Sequence, residues 1–335
     1  MSSVSRGAQA SGREGPSGLV TLRDLSIDRL RGLLVFLMVG GNYLAGVQAI
    51  PAYLKHAPDI GLTVADLVAP CFVVVMGVNY GPSFERRRGV SVTGAYRHLL
   101  MRYLSLLGLG AIISAGGTVL AGQPSDWGVL QALGMAGLIA APFVRLGTWA
   151  RFAIGTIILC AYQYLLDDGM LHSVLSSVQG GFFGSVSWGA LLVLATAVAD
   201  IRRKGTVPYA VGCALLIVAA MASVLVAPVS KNRVSLSFVL ITLAVSAVAM
   251  LIMELGARAV GARAGYFCWW GENALALYLL HLLLLGLIEF PPLPEWYWDA
   301  PLWLAALQLA ALLAVTSAAA WLLHRRRYPK YSTPV

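Results

Sequence analysis

The feature that most constrains this chain is a series of apolar runs that recurs along its length, each long enough to cross a bilayer. Crossing roughly 30 Å of hydrocarbon takes about 20 mainly apolar residues in a helix. The runs recur too regularly for one anchor on a soluble domain, and none alternates every second residue like a barrel strand. With 59% hydrophobic residues, 12% charged residues and a mean hydropathy of +0.77, the 335-residue chain lies outside the range of soluble domains. The sequence therefore predicts an all-α, polytopic membrane helical bundle.

About ten transmembrane helices are predicted from these runs. Their approximate bounds are Leu30–Ile50, Leu62–Phe84, Leu99–Ala121, Gly128–Val144, Phe152–Leu166, Gly184–Asp200, Val207–Val226, Val234–Leu255, Tyr266–Ile288 and Leu302–Leu323. Residues 1–22 are rich in Ser and Gly and have little to bury, so we expect a disordered cytoplasmic tail there. Residues 23–330 then form one transmembrane domain, followed by a short tail at 331–335. No cleavage site follows the first run, so no signal peptide is expected.

The basic residues predict the orientation of the bundle. If both termini are cytoplasmic, 21 of the 24 Lys and Arg residues lie on that side, and only Lys55, Lys231 and Arg233 lie on the other. Basic residues favour the cytoplasmic side, so this bias predicts cytoplasmic termini and an even number of spans. It also accounts for the formal charge of +9 without nucleic acid as a partner, because the basic residues flank apolar runs.

A few polar positions in or beside the apolar runs are candidates for chemistry. His56 lies in a polar, Pro- and Gly-broken passage, residues 42–66, which the charge bias places on the outer side. Asp66 and His281 lie within apolar runs, where ionisable groups are costly and are functional candidates by default. Asn273 is eight residues before His281, so the two are predicted to share a helix face. The alternative is that such a buried group only bonds a neighbouring helix.

Several other functions lack their motifs. No Gly-rich phosphate loop, HExxH motif or GxSxG elbow occurs in a convincing context, which disfavours NTP-driven pumping, zinc hydrolysis and serine hydrolysis. The four cysteines form no CxxC pair and are expected to be core residues rather than disulfide or metal ligands, so no metal is predicted. A small-residue run at 108–117 leaves open helix packing within one chain or between two copies of a homodimer.

Five segments of the chain resemble successive motifs of the heparan-alpha-glucosaminide N-acetyltransferase family. They are IDRLRGLLVFLMVGGNY, KHAPDIGLTVADLVAPCFVVVMGVNY, GVLQALG, KNRVSLSFVL and GENALALYLLH, and they fall within residues 26–140 and 228–282. Members of this family are transmembrane enzymes that move acetyl from cytosolic acetyl-CoA to a sugar amine across the membrane. The resemblance therefore implies acetyl-CoA as co-substrate, a glucosamine-type acceptor and a lipid bilayer around the protein. For a bacterial-type homologue it implies the inner (cytoplasmic) membrane.

The resemblance also implies roles for individual residues. His56 falls at the family's catalytic histidine, Asn42 at the asparagine that precedes it, and Asp66 at the acid after GLTVA. The asparagine, tyrosine and histidine of the late motif are Asn273, Tyr278 and His281. On this basis the catalytic group is expected to comprise His56, Asn42, Asp66, Asn273 and His281.

The chain departs from the family pattern at three places. Residues 58–60, Pro-Asp-Ile, stand where the family commonly has a tryptophan and an asparagine. Ala132 follows Gln131 where the family often has an arginine, and the family's GMN is GEN at 271–273. Changes near the outer mouth bear on the acceptor more than on the donor. The acceptor therefore stays open between a sugar amine and a hydroxyl of an envelope glycan or small metabolite.

The chemistry of coenzyme A indicates where its parts would lie. Its phosphates cannot enter hydrocarbon, so the nucleotide must stay at the basic cytoplasmic face while the pantetheine arm reaches inward. The expected ligands of the donor are Arg29, Arg31, Arg86, Arg87, Arg88, Arg97 and Arg102, together with Gln131 and Tyr278 from the resembling motifs.

An imidazole suits the transfer step, either as a general base or as a transient acetyl carrier. We expect His56 to act in one of these two ways, with Asp66 orienting it. Amide donors from Asn42 and Asn273 would face the developing oxyanion. The remaining alternative is a transporter whose His, Asp and Asn side chains line a path near the membrane midplane.

Overall fold

The protein is an all-helical bundle, as the apolar runs predict. The computed structural model describes residues 24–121, 127–260 and 265–327, so the predicted tails at 1–22 and 331–335 lie outside it. Within these ranges there are twelve α-helices and no strand. The helices are α1 Leu25–Gly46, α2 Val64–Arg88, α3 Val92–Ala121, α4 Val129–Ala140, α5 Thr148–Leu165, α6 Leu171–Leu175, α7 Gly181–Arg203, α8 Thr206–Ser223, α9 Leu236–Val260, α10 Tyr266–Glu272, α11 Ala274–Glu289 and α12 Leu302–Arg327.

Each predicted span coincides with a helical segment, but not every segment has the length and composition of a membrane span. Seven helical stretches in the described chain qualify, and the number is eight if the bent pair α10 and α11 is one span. The predicted first and fourth spans correspond to α1, which begins with several charged residues, and α4, which is only 12 residues long. The chain is thus an integral membrane protein in which some of the ten predicted segments are short or broken.

Helix α7 is the centre of the bundle. It packs against α2, α4, α5, α8 and α9, and Leu191, Leu192 and Leu194 in its middle are almost fully buried. A helix that is apolar on all sides needs such an enclosure. Helix α2 approaches it closely, because a Cβ on Gly77 would lie 2.6 Å from the Cβ of Ala195. This contact fixes α2, and with it the polar residues at the start of α2.

The ninth predicted span is not one continuous helix. Helices α10 and α11 meet at Asn273 with a bend of 89°. Two glycines allow α10 to lie directly across α1. A Cβ on Gly271 would overlap the carbonyl of Asp28, and a Cβ on Gly32 would overlap the carbonyl of Phe267. The GEN sequence at 271–273 contains no signal that predicts a break in the helix, so a straight span is expected from the sequence.

The two ends of the bundle differ in their charged groups. At the basic end, Arg202 bridges Asp24 before α1 and Glu254 of α9, at 2.7 and 3.1 Å. Arg327 at the end of α12 lines the same face as Asp24. The start of α1 and the end of α12 therefore lie at the same end of the bundle, as the charge bias predicts. The opposite end, here called the His56 end, carries His56 and Lys231; its assignment to the outer side rests on the charge bias.

Candidate active site

His56 is held by a buried carboxylate. Its Nδ1 lies 2.8 Å from Oδ1 of Asp66, which is fully buried, while 39% of the His56 side chain is exposed. A carboxylate beside Nδ1 favours the tautomer that carries its proton there, so the lone pair of Nε2 is left to face a reactant. The histidine lies in the loop between α1 and α2, and the aspartate lies in the first turn of α2.

Asp66 also starts helix α2. Its Oδ2 accepts hydrogen bonds from the backbone N–H of Ala57 at 3.1 Å and from the backbone N–H and hydroxyl of Thr63, both at 3.0 Å. Thr63 and Asp66 thus form a capping box. Thr63 is the residue just before helix α2, and the side chain of Asp66, the third residue of the helix, accepts from the backbone N–H of Thr63. The TVAD spacing carries this signal in the sequence. One carboxylate therefore fixes both the helix and the imidazole.

Lys231 is a second cation on Asp66. Its Nζ lies 3.3 Å from the same Oδ1 that contacts His56, and only 8% of its side chain is exposed. Burial lowers the pKa of Lys231, and the neighbouring Asp66 carboxylate opposes that shift. From the sequence, Lys231 is predicted only as a basic residue on the outer side of the membrane. The charge bias places His56 on that same side, and this was the one sequence signal that linked the two residues.

His56 opens into a cavity of about 110 Å³, here called the His56 cavity. Seven separate parts of the chain line it: α1, α2, α4, α11, the loop that carries His56 and the two turns that carry Gln179 and Lys231. Its polar lining residues are Asn42, His56, Asp66, Gln179 and Lys231. The sequence predicts Asn42, His56 and Asp66 as site residues but not Gln179 and Lys231, because both of these lie in turns without a periodic pattern.

Asn42 is positioned by His281. The Asn42 Nδ2 lies 2.9 Å from Nε2 of His281, and since the amide nitrogen donates, that imidazole nitrogen accepts. His281 is fully buried, and the ring of Tyr278 lies edge-on to it with centroids 5.1 Å apart. His281 does not line the His56 cavity. It acts on the cavity through Asn42, which does.

An apolar pocket, here called the channel, lies between the His56 cavity and the basic end. The channel has a volume of about 390 Å³ and shares Met38, Val129 and Tyr278 with the His56 cavity. On its other side the channel adjoins a vestibule of about 1100 Å³ at the basic end. The residues shared by channel and vestibule are Arg31, Phe72, Met76, Arg102, Ala274 and Leu275. The three spaces therefore adjoin one another in series from the vestibule to the His56 cavity, and this series is here called the path.

Arginines line the vestibule. Within the described chain they are Arg31, Arg86, Arg102, Arg202, Arg203 and Arg327. The first three belong to the set predicted from the sequence to bind the donor. The other three were not selected, because basic residues at the ends of spans are also what membrane topology alone predicts. Their convergence on one space becomes visible only when α7 and α12 are placed beside α1.

The remaining predicted arginines do not line the vestibule, channel or cavity. Arg87 donates to the Ser83 carbonyl at 3.0 Å, and Arg88 pairs with Glu85 at 2.9 Å. Arg97 is exposed on α3, and Arg29 is partly buried in α1. Their side chains point elsewhere because successive residues of a helix are turned by about 100° from one another.

Asn273 and Gln131 also lie away from His56. Asn273 lines the vestibule and donates to the Trp269 carbonyl at 3.2 Å, since the bend between α10 and α11 keeps it at the basic end. Its position gives no support to an oxyanion contact beside His56. Gln131 accepts from the Gly128 N–H at 2.6 Å and from the Ser114 hydroxyl at 3.0 Å. These bonds cap α4 and join it to α3, and Gln131 lines none of the three spaces.

The residues that depart from the family pattern after His56 form a clasp between two loops. Asp59 accepts from Arg233, with the closest atoms 2.5 Å apart, and from the Ser230 hydroxyl at 2.8 Å. Asn232 donates to the Pro58 carbonyl at 2.7 Å. Arg233 holds the pKa of the Asp59 carboxyl below its usual range through these hydrogen bonds. Residues 58–60 thus brace the loop that carries His56 and do not line its cavity.

No group of three or more His, Cys, Asp or Glu side chains that could hold a metal ion occurs in the part of the chain that the structure describes. The lining of the path instead offers imidazole, amide, carboxylate and ammonium groups at one end, and guanidinium groups together with the carboxylates of Asp24, Asp28 and Glu272 at the other. This donor set suits proton transfer and the binding of phosphate groups.

Fold and site together define a class of protein: a polytopic membrane protein with a carboxylate-held histidine at one end of an internal path and a basic vestibule at the other. Residues 23–185 match the family described as heparan-alpha-glucosaminide N-acetyltransferase, catalytic. This match and two curated relatives support a heparan-alpha-glucosaminide N-acetyltransferase-like family for the chain, and the resemblance of its motifs is confirmed. Asn42, His56 and Asp66 lie within the matched residues, and His281 lies beyond them.

Two curated relatives carry the name heparan-alpha-glucosaminide N-acetyltransferase. The mouse (Mus musculus) protein is 37% identical over 123 residues, and the human (Homo sapiens) protein is 37% identical over 124 residues. These alignments cover 34% and 35% of this chain, respectively, and 18% of each relative. The chain therefore matches under a fifth of the length of these relatives.

Proposed function

We propose that the protein is an acetyltransferase that moves acetyl from acetyl-CoA at the basic end to an acceptor amine at the His56 end. The observation that carries this proposal is the series of adjoining spaces from the arginine-lined vestibule through the apolar channel to the His56 cavity. Acetyl-CoA has a matching series of parts: a polyanionic nucleotide, a slim arm and a reactive thioester. The shape and charge of acetyl-CoA thus fit the path in one orientation only, with the nucleotide in the vestibule and the thioester at the His56 cavity.

The basic end supports binding of the nucleotide. Arg102 lines both the vestibule and the mouth of the channel, where the phosphates would give way to the arm. The first residues of α11, Ala274 and Leu275, line the same junction. The N-terminus of a helix carries unpaired N–H groups and favours anions. Guanidinium groups and a helix N-terminus together suit phosphates at this point, with the arm directed toward His56.

His56 supports direct transfer by general-base catalysis. Its Nε2 takes a proton from the acceptor nitrogen as that nitrogen attacks the thioester carbonyl carbon. A C–N bond forms, the C–S bond breaks, and the departing thiolate receives the proton from the imidazolium. Asp66 stabilises the imidazolium while it exists. Asn42, held by His281, retains a second amide N–H that can face the oxyanion.

A covalent route through the same histidine is the competing mechanism. Nε2 of His56 would attack the thioester, release coenzyme A as a thiol and carry acetyl until the acceptor displaces the imidazole. Rapid quenching after incubation with acetyl-CoA alone distinguishes the routes. Acetyl found on His56 by mass spectrometry supports the carrier route, and its absence while the wild type turns over supports direct transfer.

The acceptor proposed here is an amino sugar of the glucosamine type, in keeping with the names of the relatives. The clasp formed by residues 58–60 removes one argument against it, because these departures from the family pattern do not line the cavity. An envelope-glycan hydroxyl is the alternative acceptor. The charge bias supports acetyl-CoA arriving from the cytoplasm, and we place the protein in a bacterial inner membrane.

The test uses purified protein in lipid nanodiscs with acetyl-CoA and glucosamine. Release of the coenzyme A thiol is followed for the wild type, for His56→Ala and for His172→Ala, an exposed histidine on α6 that lies outside the three spaces. We expect His56→Ala to lose turnover and His172→Ala to retain it. Unchanged turnover in His56→Ala would overturn the proposal. Movement of a substrate across the membrane without thioester cleavage would instead support the transporter hypothesis.

A further inference from the structure

We propose that Gln179 recognises the acceptor: its side-chain oxygen accepts a hydrogen bond from an N–H or O–H of the acceptor in the His56 cavity. This inference rests on the function proposed above and adds a specificity-determining residue to it. Gln179 comes from the turn before α7, far in sequence from the other polar lining residues. Neither its spacing nor its surroundings in the sequence single it out.

The first observation is an unpaired buried oxygen. Gln179 is only 6% exposed and lines the His56 cavity, and its Oε1 has no hydrogen-bond partner in the described parts of the protein. The great majority of buried polar atoms are hydrogen-bonded, because an unpaired one loses its hydrogen bonds to water and gains none in the protein. A carboxamide kept unpaired in the wall of a cavity beside His56 is therefore better explained by a ligand than by the fold.

The second observation is the backbone of the same residue. Gln179 has φ 58° and ψ 26°, and Val234 is the other non-glycine residue with positive φ in the described chain. The two turns pack on each other, since a Cβ on Gly180 would lie 2.9 Å from Cγ2 of Val234. The indole N–H of Trp188 donates to the Gln179 carbonyl at 3.1 Å and fixes this turn. Left-handed backbone at non-glycine residues is strained and clusters at ligand sites.

Glycine would remove that strain, and the next two positions are already glycines. Gly180 and Gly181 have φ values of 77° and 60°. A turn that only had to change direction would be best served by a third glycine. The presence of a long carboxamide at position 179 is therefore most simply explained by what its side chain does in the cavity.

The chemistry of Oε1 limits what it can bind. An amide oxygen only accepts hydrogen bonds, so the bound group must carry an N–H or O–H. A cavity of about 110 Å³ has room for the reacting end of an acceptor and not for a whole glycan. Gln179 thus contacts the nucleophilic nitrogen itself or a hydroxyl beside it. An amino sugar offers both groups next to each other.

The test separates acceptor binding from donor binding and from folding. Gln179→Met keeps the length of the side chain and removes the oxygen. We expect the KM for glucosamine to rise about tenfold or more, because the acceptor loses a buried hydrogen bond, while the KM for acetyl-CoA stays unchanged. Since the lost oxygen has no partner among the residues that the structure describes, the melting temperature should not fall. A purely structural residue would show the opposite pattern, with lower stability and an unchanged KM.

Gln163→Met is the matched control. Gln163 is equally buried, but its carboxamide is paired with Asp167 at 2.9 Å and with the Leu236 N–H at 2.9 Å. This variant should lower the melting temperature and leave the KM for glucosamine unchanged. If Gln179→Met does not fold, Gln179→Gly takes its place, because glycine tolerates the left-handed backbone there. The same rise in the KM for glucosamine is expected.

The outcomes for the two proposals are distinguishable. If Gln179→Met keeps the wild-type KM for glucosamine while His56→Ala abolishes turnover, the acceptor contact is wrong and the proposed function stands. If His56→Ala retains turnover, the proposed function fails and the acceptor contact fails with it. A raised KM for glucosamine with an unchanged KM for acetyl-CoA, in a variant as stable as the wild type, supports Gln179 as the acceptor contact.

Discussion

Lys231 and His56 meet on a single oxygen of Asp66, with Nζ of Lys231 at 3.3 Å and Nδ1 of His56 at 2.8 Å. The carboxylate therefore serves a buried cation and an imidazole at once. A pair of opposite charges in the wall of the cavity leaves the imidazole without a net charge beside it. Removing either partner disturbs both the charge balance and the orientation of His56, and a variant that removes both separates the two effects.

Replacement of Asp66 by asparagine should damage activity and stability together. Without the carboxylate, the imidazole tautomer is no longer fixed, and we expect kcat to fall on the order of 10³–10⁴-fold. The same change leaves the Lys231 ammonium buried without its partner, which should cost about 3–5 kcal/mol of unfolding free energy. Initial rates and thermal unfolding in detergent measure the two effects.

The double variant Asp66→Asn/Lys231→Met serves as the control for that prediction. It removes the buried charge along with its partner, so much of the lost stability should return while kcat stays low. If the double variant recovers activity as well, Asp66 acts on the fold alone and does not orient His56.

Arg102 is predicted to contribute to donor binding, whereas Arg97 is not. Arg102 lines the vestibule and the channel, while Arg97, on the same helix, is exposed and lines neither. A hydrogen bond to a charged phosphate is worth about 1.5–3 kcal/mol. Arg102→Ala should therefore raise the KM for acetyl-CoA roughly 10- to 100-fold, with the KM for the acceptor unchanged. Equal effects of Arg97→Ala and Arg102→Ala would point to general surface charge instead of a site.

Much of the fold follows from the sequence, because long apolar runs in a membrane have few options other than helices. Their positions and the grouping of Asp24 with Arg327 at one end were predictable from hydropathy and charge. The bend at Asn273 was not. It depends on Gly32 and Gly271 letting α10 cross α1, a contact between residues that are distant in sequence.

The site was only partly predictable for a similar reason. Asn42, His56 and Asp66 lie close in sequence and carry the resemblance to the family, and the structure brings them to one cavity. Gln179 and Lys231 complete that cavity from turns whose local sequence has no recognisable pattern. Charge counting placed Lys231 on the same side as His56, but only the packing of the loops sets it against Asp66.

The clasp between Asp59 and Arg233 makes acid pH a test of the loop that carries His56. Hydrogen bonds from Arg233 lower the pKa of the Asp59 carboxyl, so the folded protein binds a proton there less readily than the unfolded chain. The stabilisation is then fully present above the unfolded value of about 3.9 and is lost as the pH falls through the lower folded value. Thermal unfolding of the wild type and Asp59→Asn should differ by a constant amount above about pH 4, and the difference should shrink as the pH falls below that value.

The control for the acid prediction is Asp168→Asn, an exposed acid after α5. Its unfolding curve should run parallel to that of the wild type at every pH. A difference between the wild type and Asp59→Asn that does not shrink at all as the pH is lowered below the unfolded pKa of about 3.9 would show that the clasp does not depend on the charge of Asp59.

His281 is predicted to act through Asn42. His281→Ala removes the partner of the Asn42 amide without touching the His56 cavity itself. A misplaced amide donor that costs about 1–2 kcal/mol in the transition state lowers kcat by roughly tenfold, with little change in either KM. His281→Gln, which can still offer an acceptor to Asn42, should restore part of the rate. Failure of Asn42→Ala to lower kcat in parallel experiments would separate His281 from the oxyanion and contradict this account.

The two strained residues behind the cavity should respond in opposite ways to glycine. At Gln179, glycine relieves a left-handed backbone that costs about 1–2 kcal/mol for other residues. It also gives up about 0.5–1 kcal/mol because the unfolded chain becomes more flexible. The buried oxygen of Gln179 has no partner to lose in the described protein, so Gln179→Gly should gain up to about 1 kcal/mol of stability and lose acceptor affinity.

At Val234, the same backbone relief is outweighed, since the side chain is fully buried and its burial is worth about 1.5–3 kcal/mol. Thermal unfolding should thus place Gln179→Gly above the wild type and Val234→Gly below it. The reverse order would mean that the Gln179 side chain stabilises the fold, and would remove the argument that it is kept for a ligand.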